Sequence, residues 1–235
     1  LILIPFAKPQ GGLKTGFYSS TCPKAEATVR STVEAHFKND PTSDGPNWPV
    51  PTGRRDGRVS LASKASSLPS PLDSVDTQRS KFAAKGLDDK DLVTLAGAHT
   101  LGQTDCRFFR YRLYNFTTTG NSDPSLSQSA LAQFQTMCPK NTDGTERVPL
   151  DDSPMKFDVD YFKNVRDGNG VLESDQRLWG DPKTHDIVKN YAGTFRGLLG
   201  LRFDFEFKQS MIQMSSIEVK TGTQGEIRKV CSKIN

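Results

Sequence analysis

The stretch Asp91-Leu-Val-Thr-Leu-Ala-Gly-Ala-His-Thr-Leu-Gly-Gln-Thr-Asp-Cys-Arg-Phe-Phe-Arg-Tyr-Arg-Leu-Tyr-Asn115 decides how this chain is read. An apolar helical body, Leu92–Ala98, runs into a single histidine, His99, set among small residues, with Cys106 seven positions on. Small residues let a large planar group approach the backbone, and a neutral imidazole is a common iron ligand. From its neighbours alone, His99 is open to three readings: packed, surface or ligating.

Outward from that stretch the pattern is mostly helical. Asp88 or Asp89 caps the helix before His99, and another helix spans roughly Leu72–Lys85, with Asp73 near its start and Gly86 at its end. Pro23 suits a first helical position, and Ala25–Lys38 follows with Ala27, Val29, Val33 and Phe37 as candidate packing residues. Between Asn39 and Arg58 seven prolines and glycines make a regular element improbable. Further helices are read at Arg107–Tyr114, Ser129–Met137, Phe157–Val165, Thr184–Tyr191 and Thr194–Met214, with a small hairpin or turn over Gly170–Trp179. The whole reads as one mainly α domain with incomplete layers and little β.

Composition narrows the classes. The net charge of +4 and pI near 8.8 are mildly basic, but the basic residues are dispersed and lack interleaved aromatics, which argues against nucleic acid. Mean hydropathy is −0.56, and no apolar run approaches the ~20 residues of a membrane span. The run Leu1-Ile-Leu-Ile-Pro-Phe-Ala7 reads as the tail of a secretory signal over residues 1–10, with the domain over 11–235; an ordinary apolar strand is the alternative. The triplet Asn115-Phe-Thr117 is a glycosylation sequon, in keeping with export. Four cysteines, Cys22, Cys106, Cys138 and Cys231, lack the close pairing of a zinc site, so disulfides are expected, with three connectivities open.

Several motifs then align in order. Gly16-Phe-Tyr-Ser-Ser-Thr-Cys-Pro23, Pro49-Val-Pro-Thr-Gly-Arg-Arg-Asp-Gly57, Glu173-Ser-Asp-Gln-Arg-Leu178 and Lys220-Thr-Gly-Thr-Gln-Gly-Glu-Ile-Arg228, together with the His99 stretch, resemble the plant secretory (class III) haem peroxidases over nearly the whole chain. The resemblance implies a helical peroxidase-like fold holding haem b through His99, with Asp175 accepting a hydrogen bond from the other imidazole nitrogen. Such a carboxylate gives the ring imidazolate character and pushes electron density onto the iron.

The resemblance further implies a proximal calcium site of hard oxygen donors: Asp151, Ser153 and Asp158 by side chain, Thr100 and Lys156 by main-chain oxygen. Here the Asp151–Asp158 run is about one residue short of the family's spacing, leaving Asp151 against Asp152 open. It also implies a Cys106–Cys138 disulfide, and places Pro69 and Phe108 near the exposed haem edge, where phenolic donors rest. Arg54 and Arg55, in the central loop, are given a structural salt-bridge role.

One part of the family pattern is missing. The helix bearing the distal arginine and histidine belongs between Thr42 and Ser43, where this chain runs on directly, so no catalytic residue is assigned. His36 belongs to the first helix and His185 to a polar helix start, read as a surface residue. The resemblance implies a secreted, monomeric peroxidase of the cell wall or vacuole. It would oxidise phenolic donors with hydrogen peroxide in oxidative stress or wall metabolism. The missing segment leaves peroxide turnover by this chain in doubt. The alternatives are an inactive haem- and calcium-binding remnant or a disulfide-bonded interaction domain without haem. Cys22 and Cys231 would lose their family partners, and their pairing stays open.

Overall fold

The computed structural model describes residues 12–39, 45–118, 120–193 and 196–235, and for 196–199 the backbone alone. The reading of residues 1–10 and the junction at 42/43 lie outside these. Helices dominate: α1 (Ala25–Asn39), α2 (Val75–Ala83), α3 (Asp89–Ala96), α4 (Arg110–Tyr114), α5 (Gln128–Met137), α6 (Asp160–Arg166), α7 (Glu173–Gly180), α8 (Pro182–Ala192) and α9 (Arg196–Met214). A short antiparallel pair, β1 (Gln103–Asp105) with β2 (Arg147–Pro149), sets Thr104 opposite Val148. Three-residue strands carry too little alternation to be read from sequence.

Helix starts follow cap chemistry. Ser74, rather than Asp73, caps α2 by accepting from the Thr77 amide, while Asp73 accepts from the Ser70 amide and pairs with Lys81 at 2.8 Å. Asp88 and Asp91 form a reciprocal capping box at α3. Asp181 caps α8, whose first residue is Pro182.

Two apolar clusters form the core. The larger joins α2, α3, α6, α7, α8 and α9 around Leu92, Phe162, Leu178, Tyr191 and Phe203. Phe203 stacks on Phe157 at 5.0 Å and meets Phe162 edge-on at the same separation. The smaller packs Phe109, Leu113, Phe134 and Val148 about the Cys106–Cys138 disulfide, which is formed.

Two expectations need correction. The Gly170–Trp179 segment is not a hairpin; it contains α7, whose first four residues are all buried, so no polar face signals the helix. Helix α1 forms, but none of its residues is buried: Ala27, Val29, Val33 and Phe37 are exposed, with Val29 at 65%. Val29, Val33 and Phe37 line an open apolar groove with Trp48 and Val50 in place of a packed interface.

The central loop is tied into the fold by isolated bridges, Lys14 to Thr52, Arg55 to Lys220 and Asp56 to Glu226. Arg54 and Arg55 donate to oxygens of Ser215, Pro51 and Gln224, and among the described residues neither forms the expected salt bridge.

Candidate haem site

His99 is delivered by a change of helix type. Helix α3 ends at Ala96 and tightens into a 3-10 turn, Gly97–Thr100, that swings the imidazole into a cleft. Gly97 permits this close approach, since a Cβ there would lie 2.6 Å from Phe162 and 2.7 Å from Phe203. The side chain of His99 stays 40% exposed to the cleft.

Asp175 comes from the first turn of α7, where the helix dipole favours a carboxylate. Its Oδ2 lies 2.9 Å from His99 Nδ1, and its side chain is only 6% exposed. With the proton on Nδ1, the ring donates to Asp175 and keeps Nε2 for a ligand. The Asp175 charge holds the His99 pKa above its usual value, against the opposing effect of burial.

Several contacts fix α7. Gln78 donates to the Ser174 carbonyl at 3.1 Å, and the Ser174 amide donates to Pro71 at the same distance. Arg112, wholly buried, donates to the carbonyls of Gly170 and Val171 at 2.6 Å and to Asp123 at 2.7 Å. Glu173 accepts from Tyr111 and pairs with Arg177. Sequence reasoning missed Gln78, Arg112 and Glu173, because their burial arises from contacts distant in the chain.

The cleft measures about 390 Å³ and is floored by Leu92, Leu95, Ala96 and Leu172, with Phe82 at its side. Pro69 and Phe108 both line it, and Phe108 is 46% exposed with the Arg107 guanidinium 5.2 Å from its ring centre. The donor set fits a haem: one imidazole backed by a carboxylate, facing an apolar wall. Of the other histidines, His36 is exposed on α1, and His185 is half-buried against Trp179, with ring centres 4.0 Å apart. His185 is thus a packed residue, with its Nδ1 2.8 Å from the Trp179 carbonyl.

The candidate calcium residues also meet, immediately beside His99. Thr100 Oγ1 lies 2.6 Å from Asp151 Oδ2, 3.3 Å from the Lys156 carbonyl and 3.4 Å from Asp158 Oδ1. Ser153 Oγ donates to Asp158 Oδ2 at 2.9 Å. Asp151 is buried while Asp152 is exposed, so the fold turns Asp151 inward. Burial pushes the Asp151 carboxyl up to about 6, with the charges of Asp158 and Asp160 adding to it. Such crowded oxygens fit a hard cation. Among the described residues no three His, Cys, Asp or Glu side chains gather at one point, so the set leans on hydroxyl and main-chain oxygens.

Asn115 is exposed, with its Oδ1 accepting from the Gly120 amide at 3.0 Å. Cys22 and Cys231 are free and exposed. Among the described residues no helix is long and apolar enough to cross a membrane.

Comparison with known proteins supplies the lineage. The family model described as Peroxidase matches residues 25–194. The chain is 51% identical to Peroxidase 25 of Arabidopsis thaliana over 300 aligned positions, covering 95% of this chain and 92% of the relative. It is 44% identical to Peroxidase N1 of Nicotiana tabacum, covering 95% and 91%. Peroxidase 71 of Arabidopsis thaliana is 39% identical, with 97% and 91% covered. The 300 aligned positions exceed the 235 residues of this chain, so Peroxidase 25 carries residues with no counterpart here. Membership in this family implies haem and calcium in general, with hydrogen peroxide and a donor as substrates. The chain belongs to the peroxidase family, in its plant class III branch.

Proposed function

We propose that this chain holds haem b through His99 Nε2 and calcium through Thr100, Asp151, Ser153, Lys156 and Asp158. Its substrates would be hydrogen peroxide and phenolic donors. The observation that carries the reading is the 2.9 Å contact between His99 Nδ1 and Asp175, at the wall of an apolar cleft. Haem, when bound, supplies the iron that takes up the oxidising power of peroxide.

The chain's own residues do the rest. His99 would hold the haem iron through Nε2, and Asp175 holds the Nδ1 proton so that the ring donates more strongly through Nε2. The leucine and alanine floor excludes water, and Pro69 and Phe108 edge the mouth where an aromatic donor would rest. Calcium beside Thr100 would lock the turn that carries His99. The sequon at Asn115 and the disulfide support passage through the secretory route, to the cell wall or the vacuole, and we take the protein to be a monomer. A single domain over 11–235, following a signal remnant, completes the reading.

Peroxide chemistry would also need a side chain that takes up a proton from peroxide and gives it back. Among the described residues lining the cleft there is no second histidine and no arginine. Acid–base help of that kind is typically worth ~10²–10⁴ in rate. We therefore read this chain as a haem-binding peroxidase with slow turnover.

The test combines haemin titration with rapid mixing. One equivalent of haemin should bind, His99→Ala should lose the wild-type absorption spectrum, and donor oxidation should fall well below that of Peroxidase 25. An unchanged spectrum in His99→Ala would refute the ligand assignment. Turnover equal to that of the relative would refute the slow-turnover reading.

A further inference from the structure

Tyr161, on α6, stands directly behind the His99 ring, with centroids 6.1 Å apart and planes at 70°. The residue is 2% exposed, and its enclosed hydroxyl has no hydrogen-bond partner in place. An unpaired buried hydroxyl is costly, and native proteins rarely leave one so.

The neighbouring carboxylate has capacity to spare. Asp175 commits Oδ2 to His99, whereas Oδ1 meets only Ser174 Oγ, at 3.5 Å. Tyr161 and Asp175 both stand against the His99 ring, and the charge of the carboxylate reaches the phenol. A phenol carries one O–H donor, and a buried one calls for an acceptor.

We propose that Tyr161 is a positioning residue that donates its hydroxyl hydrogen to Asp175 Oδ1, sharing the carboxylate with His99. Two donors on one carboxylate divide its basicity. Tyr161 thereby restrains how far Asp175 draws the Nδ1 proton, and so how strongly Nε2 binds a metal. It also pins the carboxylate's second oxygen, fixing the rotation that aims Oδ2 at the ring. The consequence for iron rests on the reading of His99 as axial ligand; the hydrogen bond itself does not.

The variant Tyr161→Phe removes the oxygen and keeps the ring. In the chain without haem, the wild-type-minus-variant difference in ultraviolet resonance Raman isolates Tyr161 from the other tyrosines. A phenol-donor signature supports the proposal, and a non-donor signature overturns it. In the haemin-loaded, reduced protein, the iron–histidine stretch should rise in Tyr161→Phe, where Asp175 serves His99 alone, and fall in Asp175→Asn. An unmoved stretch in Tyr161→Phe, or a shift in the direction of Asp175→Asn, overturns it as well. Should His99→Ala keep the wild-type haem spectrum, the ligand reading fails and the difference spectrum of the haem-free chain alone decides on Tyr161.

Discussion

Replacing Asp123 by asparagine would remove the charge that balances Arg112. The Arg112 side chain is 0% exposed and that of Asp123 2%, with Nε to Oδ2 at 2.7 Å. Asp123 Oδ1 also accepts from the Ser125 amide and hydroxyl at 2.8 and 2.7 Å. Breaking a buried pair from one side costs about 3–5 kcal/mol, because a charge is left uncompensated away from water. At about 2–4 °C per kcal/mol for a domain of this size, the melting midpoint should drop by on the order of 10 °C.

The effect should also depend on pH. Burial pushes Asp123 up, but the hydrogen bonds from Ser125 and Arg112 outweigh it and hold the folded carboxyl below its usual value. A depressed carboxylate stabilises the fold above the unfolded pKa and loses that contribution as pH falls through the folded one. The gap between wild type and Asp123→Asn is therefore full at neutral pH and closes only below the ordinary carboxylate range. Thermal melts by circular dichroism, with Glu218→Gln at the surface pair with Lys85 as control, would measure it. A drop no larger than the control's would refute the reasoning.

Calcium at a hundredfold excess over its dissociation constant should stabilise the chain by about 2.7 kcal/mol, and Asp158→Ala should abolish the difference between calcium-loaded and chelated melts. Gly97→Ala should cost about 1–3 kcal/mol by overpacking against Phe162 and Phe203. The same change at Gly180, where a Cβ meets nothing within 4 Å, should be near neutral in the same denaturant titration. Paired Cys106→Ser and Cys138→Ser, opening a loop with a sequence separation of 32, should lose about 3–4 kcal/mol.

What the sequence made legible was chiefly local. Asp88 as a cap and the α3 body follow from short-range chemistry, whereas the reading of His99 as a haem ligand came from the family resemblance and not from its neighbours. The partnership of His99 with Asp175 spans 76 positions and came from resemblance, not from spacing. Helix α7 was hidden because Glu173, Ser174, Asp175 and Gln176 are polar and buried at once, which erases the amphipathic pattern. Helix α1 fails in the opposite way: its apolar spacing at Val29, Val33 and Phe37 promises a packed face, yet these side chains stand exposed over an open groove. Tyr161 carried no signal at all, since a tyrosine in a short helix says nothing of the carboxylate behind it.

Whether His99 is the ligand of iron is tested most directly by cavity rescue. His99→Gly, titrated with haemin in the presence and absence of free imidazole, should lose the wild-type absorption spectrum without imidazole and regain it with imidazole. A wild-type spectrum in His99→Gly without imidazole would contradict the claim.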